Sequence, residues 1–271
     1  MSERTINFEE KALWVRRETV MIHKHAPETR LASSMSDVEI FVALYYGGIL
    51  TIDPKNPRWE DRDRFIISKG HGGISLYPIL ADLGFFDSAE LQKVCQAGSF
   101  LGSIPDEIPG FETINGSLGH GLGVAAGVAM ALKAKGNGAK VFVLAGDGEL
   151  CEGSVWEAVM FAGQHALDNL ILVVDRNGIS MLDYMKNIMK LEGLEKIFVN
   201  FGWKAETVDG HDVQAVHSSL KGMKRDDESC PKVLIANTVK GKGIPQMENV
   251  QLCHTGTLSP QECDELLKEL K

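Results

Sequence analysis

Apolar positions recur at helical spacing over residues 8–24, 37–46 and 88–96, predicting amphipathic helices there. Three runs break that rhythm. Lys140–Ala145 (KVFVLA), Leu170–Val174 (LILVV) and Lys232–Asn237 (KVLIAN) are nearly continuous apolar stretches bounded by Gly, Asp, Asn or Pro, the mark of strands buried on both faces. Between the first two, Ser154–Ala166 carries Trp156, Val159, Met160 and Gly163 at helical spacing, with the first three read as core. Strand, helix and strand thus follow one another. Repeated units of this kind build an α/β fold, a parallel sheet flanked by helices, which binds ligands outside the carboxyl ends of its strands. No repeat, low-complexity tract or Pro/Ser-rich linker divides the chain, so one domain is expected over 1–271, with a late loop and C-terminal helix over 240–271 as an extension. Gly-rich Gly116–Gly127 reads as the opening of a closely packed helix, Asn237–Gly256 mostly as loop, and Lys221–Glu228 as a solvated loop.

Composition narrows the ligand. The 271 residues are 44% hydrophobic and 24% charged, as in ordinary globular chains. A net charge of −9 repels a phosphate backbone, which argues against nucleic acid and anionic membranes and for a small molecule. The longest apolar stretch, Leu118–Leu132, is interrupted by His120 and several glycines and falls short of the roughly 20 residues that span a bilayer. Five cysteines without a C-x-x-C pair suit reduced thiols, and Met1–Lys11 lacks the apolar core of a secretory signal; a cytoplasmic location fits both.

The first strand runs into Gly146-Asp147-Gly148-Glu149 and the next into Asp175-Arg176-Asn177-Gly178, so both polar clusters leave the sheet at one edge. A carboxylate from Asp147 and an amide carbonyl from Asn177, with backbone carbonyls, water and phosphate oxygens, suit the octahedral shell of Mg²⁺. The glycines admit a diphosphate close to the backbone, and the next helix N-terminus favours its charge. Asp-Gly alone is a common turn; its strand context and the Asn that follows after 28 intervening residues set this one apart.

That G-D-G…N spacing resembles the thiamine diphosphate fingerprint, and the chain resembles the amino-terminal, thiamine diphosphate-binding domain of transketolase along nearly its whole length. Four separated stretches carry the resemblance: Arg62–His71 (RDRFIISKGH), Gly116–Gly121 (GSLGHG), Gly146–Gly153 (GDGELCEG) with Asn177 and Ile179, and His254 in the late loop. It implies that His71, Ser117, Leu118, Gly119, Gly146, Asp147, Gly148, Glu149, Asn177 and His254 bind the cofactor. It further implies that Asp147, Asn177 and the Ile179 carbonyl hold Mg²⁺ or another divalent cation such as Ca²⁺ or Mn²⁺, and that His71, His254 and Glu152 have catalytic roles. Glu152 reads equally as a charge favouring a helix N-terminus; for His71 a helix-start or turn histidine, and for His254 a plain loop residue, are the lesser alternatives; His23, His25, His165, His211 and His217 read as surface or packing residues.

Ordinary transketolase chains are more than twice as long, so the resemblance implies a separate carboxy-terminal, transketolase-like subunit carrying the pyrimidine-binding domain, in a heterotetramer of two copies of each. The implied activity is transfer of a two-carbon ketol unit from a ketose phosphate to an aldose. Another split thiamine diphosphate enzyme, deoxyxylulose-phosphate-synthase-like or the alpha chain of a 2-oxo acid dehydrogenase, and a non-catalytic binding module stand as alternatives. Two substrate-side histidines of the family are replaced: Arg30 stands in place of one, and Gly102-Ser103-Ile104-Pro105 stands where the other belongs. Arg30 reads either as a contact for an anionic substrate group or as an exposed loop residue.

Overall fold

The computed structural model describes residues 6–113, 116–181 and 183–270. A five-stranded parallel sheet forms its centre: β1 (Arg64–Ile67), β2 (Val141–Gly146), β3 (Leu170–Arg176), β4 (Lys204–Asp209) and β5 (Lys232–Asn237), ordered β1-β2-β3-β5-β4. The helices are α1 (Phe8–His25), α2 (Leu31–Met35), α3 (Val38–Tyr45), α4 (Leu76–Leu83), α5 (Gly121–Ala134), α6 (Gly153–Gln164), α7 (Met185–Ile188), α8 (Leu194–Asn200), α9 (Val213–Arg225) and α10 (Pro260–Glu269).

Strand residues alternate between the two faces, and both faces are apolar. Phe142, Leu144, Ile171, Val173 and Leu234 pack with α1, α3, α4 and α9; Val141, Val143, Leu172, Val174 and Ile235 pack with α5, α6 and α8. Each such buried side chain contributes about 1.5–3 kcal/mol relative to exposure. The late segment folds back onto α1 and α2, where Ile244, Met247, Leu258 and Leu266 meet Val20, Leu31 and Met35. His23, fully buried, ties this layer together: its Nδ1 pairs with Thr29 Oγ1 at 2.8 Å and its Nε2 accepts from Leu258 N at 3.2 Å.

The structure corrects three expectations and adds a strand. Residues 88–96 form a 3-10 helix only over Ser88–Lys93; Leu91 is its buried residue, too little apolar surface to offset ordering further turns. Lys204–Asp209 is a strand that sequence reading passed over, because an edge strand with exposed Lys204, Glu206, Thr207 and Asp209 lacks the apolar run of its neighbours. Met160 is 45% exposed rather than core, since α6 turns Val155, Ala158, Val159 and Ala162 inward. Residues 221–225 are the last turns of α9, where Lys224 pairs with buried Asp63 at 2.6 Å, not a solvated loop.

Candidate active site

Parallel pairing delivers four polar tips to one edge. Ile67 pairs with Leu144, Gly146 with Asp175 and Arg176 with Asn237, so β1, β2, β3 and β5 end together and release Lys69, Asp147, Asn177 and Lys240 at the same side. A cleft of about 480 Å³ runs along that edge, lined by these four with Arg30, His71, Ile104, Gly148, Glu152, Ile179 and His254. Its volume lies within the range of small-molecule sites.

Beneath the cleft lies a closed polar network. Lys69, 2% exposed, sits between Asp37 at 3.0 Å and Asp175, and donates to Ser33 O at 2.8 Å. Asp175 also accepts from Ser36 Oγ at 2.9 Å, Asn177 Nδ2 at 2.7 Å and Thr238 Oγ1. Burial opposes the ionisation of Asp175, but the Lys69 ammonium and these donors hold its carboxyl below the usual carboxylate range. Burial pushes the Asp37 carboxyl up against the same ammonium, while Asp175 and Asp37 hold Lys69 above the usual lysine range.

Asp147, one strand away, is buried to 1% without such compensation. Among the described residues its oxygens accept only from Gly148 N at 2.9 Å and Gly178 N at 2.7 Å, and no lysine or arginine forms an ion pair with it. Burial, then the charge of Asp175, raises its pKa to about 6. Asn177 Oδ1 accepts from Ile179 N at 3.2 Å, and the Ile179 carbonyl accepts from Lys240 Nζ at 3.1 Å. Among the described residues no cluster of three His, Cys, Asp or Glu is placed to hold a metal. One buried carboxylate, one amide and one carbonyl fit a hard cation that takes further oxygen ligands from water or phosphate.

Facing these acceptors are the basic groups of the cleft. Lys240, 2% exposed, also lies 3.3 Å from His254 Nδ1, which in turn lies 3.3 Å from Ser33 Oγ. The rings of His71 and His254 meet edge-on, with centroids 4.9 Å apart. Burial, then Lys69, lowers the Lys240 pKa to about 8. Burial, then Lys240 and Arg30, lowers His254 to about 4, and burial with Lys69 keeps His71 well below the ordinary histidine value. Both rings are therefore neutral at pH 7.

The G-S-L-G loop is held from inside the protein. Glu149 accepts from Gly119 N at 2.8 Å and from Ser68 Oγ, while Ser154 Oγ donates to Gly119 O at 2.9 Å. Glu149, expected to bind the cofactor, lines the cleft and also positions this loop with its carboxylate. Gly119 has φ +85°, and a Cβ there would come within 2.7 Å of Glu152, so only glycine fits. At Gly148 a Cβ would meet nothing nearer than Ser180 at 3.5 Å, so packing within the chain does not require glycine there.

The other anticipated residues separate. Glu152 is exposed on the cleft rim at the start of α6, with no capping hydrogen bond from its side chain. Leu118 lines the cleft, whereas Ser117 is exposed outside its lining. Arg30 is half-buried in the cleft wall, and apolar Ile104 occupies the other altered stretch. Sequence reasoning did not single out Lys69 and Lys240: one lies within the R-D-R-F-I-I-S-K-G-H motif and the other in the late loop, but spacing does not reveal where an ammonium points. His211, expected at the surface or in packing, is half-buried and bonded to Glu39 and to Val239.

The chain matches the family described as "Transketolase, thiamine diphosphate binding domain" over residues 22–270. It is 35% identical, over its whole length and 98% of the relative's, to the 6-deoxy-6-sulfo-D-fructose transketolase subunit of Clostridium sp. (strain MSTE9). It is 37% identical to an apulose-4-phosphate transketolase subunit of Actinobacillus succinogenes, covering 97% of this chain and 95% of that one. The crystal structure of transketolase from Campylobacter jejuni superposes with a TM-score of 0.87 at 29% identity, over 98% of this chain and 43% of that chain, so this chain spans less than half of the solved transketolase. Sequence family, sheet topology and cleft agree: the chain belongs to the transketolase family, as its thiamine diphosphate-binding domain.

Proposed function

We propose that this chain is the cofactor-holding subunit of a two-chain transketolase, binding thiamine diphosphate with Mg²⁺, or with Ca²⁺ or Mn²⁺ in its place. A separate carboxy-terminal subunit supplies the pyrimidine-binding domain, and two copies of each assemble in the cytoplasm. The reaction is transfer of a two-carbon ketol unit from a ketose phosphate to an aldose. The observation that carries this reading is Asp147, a buried carboxylate with no ion-pair partner among the described residues, beside the Asn177 amide and the Ile179 carbonyl.

When bound, thiamine diphosphate supplies the electron sink for carbon–carbon cleavage. The chain's own residues bind and orient. Asp147, Asn177 and the Ile179 carbonyl would hold the cation, and Lys240 offers a buried ammonium to the diphosphate. Gly148 leaves the backbone open to close approach. Neutral His71 and His254 present ring nitrogens to substrate hydroxyls and move protons there. Glu152 on the rim meets the partner subunit.

Arg30 contacts an anionic group of the substrate. Two relatives bear names of acidic sugars, 6-deoxy-6-sulfo-D-fructose and apulose 4-phosphate, which supports a sugar with a strong acid group here. Free cysteines and the absence, among the described residues, of any helix long and apolar enough to cross a membrane accord with a cytoplasmic location.

The test mixes the purified chain with the candidate partner subunit, thiamine diphosphate, Mg²⁺ and a panel of sugar phosphates, and follows carbon transfer. Turnover requires both chains; full turnover by this chain alone refutes the two-chain reading. Loss of substrate affinity in R30A supports the Arg30 contact, and an unchanged KM removes it.

A further inference from the structure

Lys240 stands on a loop, and a loop ammonium is only as well placed as its backbone. The stretch after β5 is gripped at several points: Gly241 N donates to Ala32 O at 2.9 Å, and Asn249 N donates to Lys240 O at 3.1 Å. Two side chains reach it from other elements. His211, at the end of β4, accepts from Val239 N through Nε2 at 2.8 Å; Arg16, from α1, donates to Lys242 O at 3.4 Å.

Both converge on Glu39 of α3. Arg16 binds it in a two-pronged pair at 2.6 and 2.9 Å, and His211 Nδ1 lies 3.0 Å from its Oε2. Arg16 and Glu39 are 7% and 6% exposed. Because Nε2 accepts from an amide, the ring proton sits on Nδ1, where Glu39 receives it; the carboxylate thereby fixes tautomer and ring orientation together. A relay of hydrogen bonds runs from Arg16 through Glu39 and His211 to Val239, the residue before Lys240.

We propose that His211 is a positioning residue that sets the place of the Lys240 ammonium in the cleft by holding the Val239 amide, with Glu39 and Arg16 orienting the imidazole. The cofactor reading enters only in what that ammonium serves; its placement, 3.1 Å from Ile179 O and 3.3 Å from His254 Nδ1, stands without it.

The experiment uses the full chain. H211L keeps the bulk and removes both ring nitrogens, whereas H211Q retains an acceptor at about the reach of Nε2. Hydrogen exchange of residues 238–243 is measured without cofactor, and thiamine diphosphate affinity is measured by calorimetry with Mg²⁺. H211L is expected to speed exchange at Val239 while the β5 amides stay protected, and to weaken cofactor binding about tenfold, the scale seen when a group that orients a ligating side chain is removed. H211Q restores both, and H211L adds no further loss to K240M.

A folded H211L chain with lowered Tm but wild-type exchange over 238–243 and wild-type affinity overturns the proposal, as does a loss that adds fully to that of K240M. Should H211L fold poorly, H211N, too short to reach Val239, carries the same comparison. A wild-type chain that does not bind thiamine diphosphate even with its partner subunit added defeats the cofactor reading, and the exchange comparison still decides the positioning.

Discussion

Asp175 and Asp147 leave neighbouring strands at the same edge, and both are buried, yet their surroundings are opposite. Asp175 has an ammonium and three uncharged side-chain donors; Asp147 has two backbone amides and, among the described residues, no ion-pair partner. The same division separates the histidines: His23 has partners at both nitrogens within the fold, whereas His71 and His254 face a cleft shared with Lys240. Matched polar groups hold the protein together, and unmatched ones mark where something else binds.

Removing the cation from the matched network gives the largest expected loss. K69M leaves Asp37 and Asp175 buried without their ammonium, and breaking such a pair costs about 3–5 kcal/mol. Urea unfolding of the cofactor-free chain measures it; a loss under about 1 kcal/mol would mean the network is weakly coupled to folding.

His23 supplies the next effect, through pH. Burial lowers its pKa to about 4 from 6.5, against opposing contributions from Glu28 and the Thr29 backbone. Below pH 6.5 the unfolded chain takes up a proton that the folded ring refuses. The stability from this group is complete above pH 6.5 and falls toward pH 4, by about 3 kcal/mol in all. The difference between wild type and H23Q unfolding should shrink correspondingly across that window; a pH-independent difference would show that the folded ring takes up its proton freely.

On the unmatched side, D147N should change the stability of the cofactor-free chain by less than about 1 kcal/mol, because no ion pair is broken. What it removes is ligand stabilisation. Thiamine diphosphate at a hundred times its Kd adds about 2.7 kcal/mol to the wild type, and this gain and its Mg²⁺ dependence should vanish in D147N. A full Mg²⁺-dependent thermal shift in the variant would unseat Asp147 as a cation ligand.

How far the sequence discloses this division follows from what each signal measures. Continuous apolar runs expose β2, β3 and β5 because those strands are covered on both faces; β4, paired only to β5 at the edge, carries polar residues and has no such run. Asp147 and Asn177 are legible because glycines and strand ends frame them. Lys69 and Lys240 are not, because a lysine reaches several ångströms from its backbone, and its partners come from loops remote in sequence, such as Asp37 and Ile179. Met160 is misplaced by periodicity because helical spacing identifies a stripe without saying which of two neighbouring stripes turns inward.

That misplaced methionine supports the smallest effect on the chain itself. Val124 of α5 and Met160 and Phe161 of α6 are 45%, 45% and 40% exposed, and Val124 and Phe161 line a separate groove between those two helices that Gly119 also borders. Within the isolated chain these side chains are as unmatched as Asp147, but toward apolar surface rather than a cation. The partner subunit that completes the proposed enzyme would cover them. M160E/F161E should therefore shift unfolding of the isolated chain by no more than about 0.5 kcal/mol, as surface changes do, while abolishing co-elution with the partner. If the variant still assembles with wild-type affinity, the partner docks elsewhere, and the unmatched cleft must be completed from another side.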